Sequence, residues 1–213
     1  MDVETTGLDP THHEILEVAV VPLNSNLDPH PKITPFHVVL KPDHPERIDF
    51  DAIRVLRTYD ESFDSTDINI QKSRVIRAMD AGIEQSRAAD LFVEWFEDIK
   101  LLPKKRLIPL AHNIVFDRAF MMSWLGQHSY NYVFDPRGRD TMTVAAFMND
   151  YAAFGNVLEL PFPKLKLSLL ASKLGIPVHV AHNALDDAVN TAQIYRQMCM
   201  GRIFSPRIKQ NVE

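Results

Sequence analysis

The chain opens Met1-Asp-Val-Glu-Thr-Thr-Gly-Leu8, and a strand at that point constrains everything it packs against. In extended backbone successive side chains alternate faces, so Asp2 and Glu4 share one face while Val3 takes the other. Two carboxylates held that close repel and lose solvation, so the fold must bring them a neutralising partner, either basic side chains or a cation. No Lys or Arg occurs before Lys32. A hard divalent cation, Mg²⁺ or Mn²⁺, suits all-oxygen ligands better than zinc does. For an Asp-x-Glu standing alone, a pair of solvated acids near a chain end is the stronger reading. Two later stretches reverse that order.

At 213 residues the chain can bury one full core, and a single domain over 1–213 accounts for its length. Its 46% hydrophobic and 24% charged residues are those of an ordinary globular protein. No long apolar run is present to span a membrane, and the acidic start does not resemble a signal peptide, so a cytoplasmic protein is expected. One cysteine, Cys199, excludes an internal disulfide framework and a multi-thiolate zinc site; its apolar helical surroundings read as packing. The net charge of −5 argues against holding nucleic acid by bulk electrostatics, though not against a nuclease whose acids are cancelled by metal. The basic groups at Lys104-Lys105-Arg106, Arg137/Arg139, Lys164/Lys166 and Arg202/Arg207/Lys209 read as solvated surface.

Along the chain, Gly7 and Pro10 mark a turn after the first strand. Glu14 to Leu23 and Pro35 to Leu40 are rich in β-branched residues and continue an antiparallel meander. From Lys41 to about Glu84 the pattern weakens, with short helical stretches at Ala52 to Arg57 and Gln71 to Met79. Ser86 to Ile99 then spaces Ala88, Leu91, Phe92, Trp95 and Phe96 as an amphipathic helix. Leu107 to Ala111 reads as a short buried strand, Val115 to Leu125 as a helix that Gly126 can end, and Val133-Phe134 as the approach to another short strand before Asp140. Thr141 to Tyr151, Leu165 to Leu174 and Ala184 to Met200 are helical, the second stopped by Gly175 and Pro177. Strands first, then helices alternating with short strands, predict an α/β sandwich on one mixed sheet.

His112-Asn-Ile-Val-Phe-Asp117 and His182-Asn-Ala-Leu-Asp-Asp187 both read His, Asn, three residues, Asp, and both open a helix. Asn113 and Asn183 are N-cap candidates. Helix side chains tilt toward the N-terminus, so Asp117 and Asp187 can lean back to the loop before their helices. A carboxylate there also gains ~0.3–1 kcal/mol from the helix dipole, which is a structural reason for either Asp. Asp186, at the third helical position, fits a capping role better than a chemical one. His112, directly after a buried strand, reads as a satisfied core histidine, whereas His182 in a polar loop is the better general-base candidate.

Taken together, these motifs resemble the DEDDh branch of the 3′→5′ exonuclease superfamily, the proofreading type with a ribonuclease H-like fold. Asp2-Val-Glu4-Thr-Thr-Gly-Leu8 is similar to the first family motif, Ala111-His-Asn-Ile-Val-Phe-Asp117 to the second, and His182 with Asp187 and Ala188 to the third. Asp140-Thr141 resembles the Asp-Thr after the next strand, and Leu165 to Pro177 the leucine-rich helix with a Gly-Ile ending. The resemblance implies an α/β, ribonuclease H-like mixed sheet flanked by helices. It implies that Asp2, Glu4, Asp117 and Asp187 coordinate two Mg²⁺ or Mn²⁺ ions, ~3.5–4 Å apart as in two-metal sites generally. One ion would acidify the attacking water and the other stabilise the departing 3′-oxygen, with His182 as general base. The substrate would be a single-stranded nucleic acid 3′ end, DNA before RNA, in viral or bacterial replication or repair, with a replication protein as partner. Leu8 would wedge against the terminal base and Phe116 stack on it, with Thr5, Thr6, His112 and Asn113 completing the substrate contacts; core packing is the alternative for Leu8 and Phe116, turn formation for the threonines.

The sequence departs from that family in two places. Several apolar residues are expected ahead of the first motif Asp, where only Met1 stands: either the true start lies upstream, or the chain is trimmed, or the strand is unusually short, and a missing half-strand would hold Asp2, and with it the metal, more loosely. Residues 41–84 are longer and more charged than the usual link; a helical insertion near the substrate entrance and a solvated surface elaboration are equal readings. The rival function is a catalytically silent domain of the same fold that binds a polymerase or nucleic acid.

Overall fold

The computed structural model describes residues 1–49, 77–99, 105–155, 157, 159–177 and 183–201. Strands β1 (Asp2–Thr5), β2 (Ile15–Val20) and β3 (Phe36–Lys41) form the expected antiparallel meander. The register sets Asp2 opposite Ala19 and Glu4 opposite Glu17, with a bulge between Glu4 and Thr5 that ends the regular ladder beside the motif's turn. A short β4 (Ile83–Glu84) adds to β3 in parallel. Gly82, just before it, is required by close approach: a Cβ there would lie 2.5 Å from the Lys41 nitrogen and 2.4 Å from the Ala78 carbonyl oxygen.

A parallel pair, β5 (Leu110–Ala111) and β6 (Arg139–Asp140), flanks the other side of β1. The Met1 nitrogen donates to the Leu110 carbonyl at 2.7 Å, which sets β5 alongside the head of β1. Among the described residues five helices follow β4 in chain order: α1 (Gln85–Asp98), α2 (Ile114–Val133), α3 (Thr141–Phe154), α4 (Leu167–Lys173) and α5 (Ala184–Cys199).

Alternation along the strands sends two sets of side chains to opposite faces. Val3, Val18, Val20 and Phe36 pack with Phe92 and Phe96 of α1 and with Phe120 and Met121 of α2 into the main core. Each fully buried aromatic or aliphatic side chain there contributes roughly 1.5–3 kcal/mol by leaving water. On the opposite face Ala19 meets Ala184 and Ala188 of α5; the small side chains let that helix approach β1 closely. Behind it Ala145, Met148, Leu170, Ile194 and Met198 join α3, α4 and α5. Helices thus cover both faces of a mixed sheet.

Several boundaries differ from the sequence reading. Gly126 ends the first part of α2, as expected, with φ 73° and ψ 151°, but helix resumes beyond it and runs to Val133. Cys199 is exposed, not packed: α5 buries Ile194 and Met198, and the residue after Met198 turns away from that stripe. The helix expected at Ala52 to Arg57, and most of the 41–84 segment, lie outside the described residues; of Gln71 to Met79 only 77–79 is described, and it is helical.

Candidate active site

β1 carries Asp2 and Glu4 on the face that α5 covers, and α5 brings Asp187 to them in its first turn. One carboxylate oxygen from each of the three lies within 4.8 Å of the others, and all three side chains remain partly open to solvent. The helix is aimed by its cap. Asn183 Oδ1 accepts from the Asp186 amide at 2.8 Å, and Asn183 Nδ2 donates to Asp186 Oδ2 at 2.7 Å. Asp186 is thereby occupied at the helix terminus, the role its position predicts, and Asp187 is the acid left facing β1.

Asp117 arrives from the other side and is buried, 2% exposed. β5 stops at Ala111, beside Met1, and the Asp117 carboxylate accepts from the Val3 amide where a neighbouring strand would otherwise have done so. Burial pushes its carboxyl up to about 7, against the lowering effect of the Met1 amino group and of hydrogen bonds from its own amide and that of Val3. Asp2 is raised well above the usual carboxylate range, first by burial and then by the charges of Asp117, Glu4 and Asp187. The three acids around Asp2 make this a site that a divalent cation would stabilise. The donor set is all oxygen and half open, which fits Mg²⁺ or Mn²⁺, both of which keep several waters.

The second motif is held differently from expectation. Asn113 occupies the N-cap position of α2, yet its side chain makes no cap bond, because its backbone is left-handed (φ 65°, ψ 55°). Its amide instead donates to Asp140 Oδ1 at 2.8 Å. The same oxygen accepts from the Met142 amide at 3.0 Å and Asp140 Oδ2 from Thr143 Oγ1 at 2.8 Å, so Asp140 caps α3 while pinning the turn that launches α2. His112 is similarly tied: Nδ1 lies 2.8 Å from Thr141 Oγ1, and the ring also bonds the Leu165 carbonyl. Burial lowers its pKa, so it is neutral at pH 7.

The first-motif loop is braced internally. Thr5 Oγ1 donates to the Gly7 carbonyl at 2.7 Å, and Thr6 Oγ1 accepts from the Glu14 amide at 2.9 Å, so both hydroxyls shape the turn. Leu8 is half-buried in that loop. Phe116, on the first turn of α2, is also half-buried, its ring 4.8 Å from that of Phe120. His182 lies outside the described residues.

Residue-by-residue reading of the sequence missed Glu17. It sits across from Glu4 in the ladder, is 2% exposed, and is held by His37 Nε2 at 2.7 Å and Arg77 Nη2 at 3.2 Å. Like charges directly opposite are unfavourable, and the His37 and Arg77 contacts offset this one. Its one sequence signal is an acid interrupting an otherwise apolar strand, Ile15-Leu-Glu-Val-Ala-Val20.

A family model for exonucleases of the RNase T type matches residues 1–195. A PolC-type DNA polymerase III from Pediococcus pentosaceus is 25% identical over 197 residues, 91% of this chain and 11% of the polymerase. Among solved structures, exonuclease I matches with a TM-score of 0.64 at 19% identity, over 95% of this chain and 41% of that one. Escherichia coli exonuclease I in complex with a dT13 oligonucleotide matches with a TM-score of 0.58 at 19% identity, over 92% and 39%. The chain therefore spans about two fifths of these structures and about a tenth of the polymerase. The mixed sheet flanked by helices is the ribonuclease H-like fold of these neighbours. With its model matched from residue 1 to residue 195, the chain belongs to the RNase T exonuclease family.

Proposed function

We propose that the protein is a metal-dependent 3′→5′ exonuclease that releases nucleoside 5′-monophosphates from single-stranded DNA ends. The observation that carries this reading is the meeting of Asp2, Glu4 and Asp187 within one ion's reach, beside the buried Asp117. These four acids are the ligands for two divalent ions, which when bound supply an activated water and electrostatic stabilisation of the leaving oxygen. Nothing else in the site calls for such a concentration of charge: a binding module gains nothing from clustered acids that repel phosphate.

The protein's own groups then divide the remaining work. Asp117, on the first turn of α2, is fixed against β1 by the Val3 amide, while Asn183 aims α5 so that Asp187 faces Asp2 and Glu4. Asp140 and His112 hold the start of α2. Leu8, the exposed side chain of Asn113 and Phe116 meet the terminal nucleotide, and Thr5, Thr6 and His112 act by shaping the loops that present them. Base stacking on an aromatic ring is worth ~1–3 kcal/mol and tolerates any base, as removal of successive nucleotides requires. His182, one residue before the Asn183 cap, accepts the proton from the attacking water. The preference for DNA is supported by the dT13 oligonucleotide in the exonuclease I neighbour, and a replication setting by the PolC-type relative.

Digestion of matched 5′-labelled single-stranded DNA and RNA tests the proposal. A ladder shortening from the 3′ end only when Mg²⁺ or Mn²⁺ is present, faster on DNA, is expected. Faster cleavage of RNA would make the protein an exoribonuclease with the same four ligands.

A further inference from the structure

The sheet sets Glu17 directly beside the acidic cluster. Alternation puts it on the face of Ala19, which α5 covers, and the register places it across from Glu4, whose carboxylate belongs to the cluster. Side chains opposite each other in a ladder stand ~4.5–5.5 Å apart at Cβ. An acid here is costly twice over, being 2% exposed and facing a like charge. Packing requires neither cost, since an apolar side chain of that size would fill the space without them. What the carboxylate does is hold two other groups: His37 Nε2 lies 2.7 Å from Oε1, and Arg77 Nη2 lies 3.2 Å from Oε2.

Arg77 stands on the short helical stretch 77–81, whose Ala78 and Met79 pack with Val39, the β3 residue across from Glu17. That seats its guanidinium over the row Glu4, Glu17 and Val39, on the face that carries the acids. Glu17 holds Nη2, and the side chain is 56% exposed. Arginine presents five N–H donors in a planar fork that matches phosphate, and Glu17 takes only part of it. Every linkage of a single strand carries a charge, and the acidic cluster itself offers those linkages only repulsion. We propose that Arg77 is a substrate-binding residue that grips a backbone phosphate of the single strand beside Glu4, with Glu17, itself oriented by His37, as the positioning residue that holds the guanidinium there. The inference rests on the exonuclease reading of the acidic cluster and adds to it a cation supplied by the 41–84 segment.

Equilibrium binding tests this without hydrolysis: anisotropy of a short 5′-fluorescein-labelled oligodeoxythymidine is followed in Ca²⁺, which takes oxygen ligands in a looser geometry than Mg²⁺. Arg77→Met is expected to weaken binding about tenfold and to lower the slope of log affinity against log salt by about 0.7, one phosphate contact on a single strand. Arg77→Lys restores the slope but not the full affinity. Glu17→Gln alone weakens binding about threefold and keeps the slope, since the guanidinium loses its fixed seat but not its charge. In that background Arg77→Met still weakens binding about fivefold if the guanidinium grips phosphate. No effect there would show that its task is only to offset the Glu17 charge, and would overturn the proposal. The double variant leaves no buried charge unpaired, so it decides the matter even if Arg77→Met alone fails to fold. Single neutral methylphosphonate linkages then locate the contact. One linkage is expected to cost the wild type about tenfold and Arg77→Met nothing further, whereas losses that add at every linkage, or a wild type that does not bind, contradict the assignment. Because shortening of the strand is not read, an inactive protein whose binding depends on Arg77 would fail only the exonuclease reading, and an active one whose binding ignores Arg77 would fail only this one.

Discussion

Asp117 is the acid whose burial most clearly shapes the site. It and Asp2 hold their protons more tightly in the folded chain than at the ordinary value of 3.8, Asp117 to about 7. A raised carboxyl favours the folded state while protonated, so its stabilising effect is complete below the unfolded value and is lost as pH rises through the folded one. In EDTA, the stability difference between wild type and Asp117→Asn therefore shifts against the wild type between about pH 4 and pH 7. At about pH 8 the metal-free variant melts higher, by roughly 2–8 °C for a chain of this length, because an amide carries no charge to desolvate. Mg²⁺ reverses the order by stabilising only the wild type. Melting curves across pH, with and without metal, check this; a variant that melts lower throughout would contradict it. Asp187→Ala abolishes hydrolysis with circular dichroism unchanged, whereas His182→Ala lowers the rate by roughly 10²–10⁴-fold, the usual range for a lost general base.

At the level of elements, the site depends on two helix starts built in different ways. α5 is aimed by an ordinary side-chain cap, so Asn183→Ala lowers stability by about 1 kcal/mol. Asp186→Ala retains metal binding, since Asp186 bonds the cap and not the cluster. α2 is aimed from outside by Asp140, which accepts three hydrogen bonds, and Asp140→Ala destabilises by roughly 2–3 kcal/mol, read by calorimetry. The sequence distinguishes these cases poorly: two Asn residues in equivalent positions look alike, and only the left-handed backbone at Asn113 separates them. That conformation is imposed by a carboxylate 27 residues away, beyond any local pattern. Glu17 was hidden for the same reason, its partners His37 and Arg77 being 20 and 60 residues distant. By contrast β2 and β3 were legible as runs rich in β-branched residues bounded by a polar loop, and α1 because its buried Ala88, Phe92 and Phe96 recur at helical spacing. The three ordered acidic motifs were legible as well, since each lies on a strand or helix start whose geometry fixes where its carboxylate points.

For the whole molecule, the sheet acts as a plate that brings distant parts of the chain to one edge: β1 supplies two acids, α2 a third across the edge and α5 a fourth over the face. A metal that binds this assembled state and not the unfolded chain would stabilise it by about 2.7 kcal/mol at a hundredfold excess over the dissociation constant. Among the described residues no helix is long and apolar enough to cross a membrane. On the proposed function these four acids form a metal-dependent hydrolytic site. The most direct measurement follows a 5′-labelled single-stranded DNA with wild type and with Asp187→Ala, each in Mg²⁺, Mn²⁺ and EDTA. Stepwise shortening from the 3′ end by the wild type with metal alone, and none by the variant under any condition, is expected. Equal shortening by the variant, or by the wild type in EDTA, would contradict it.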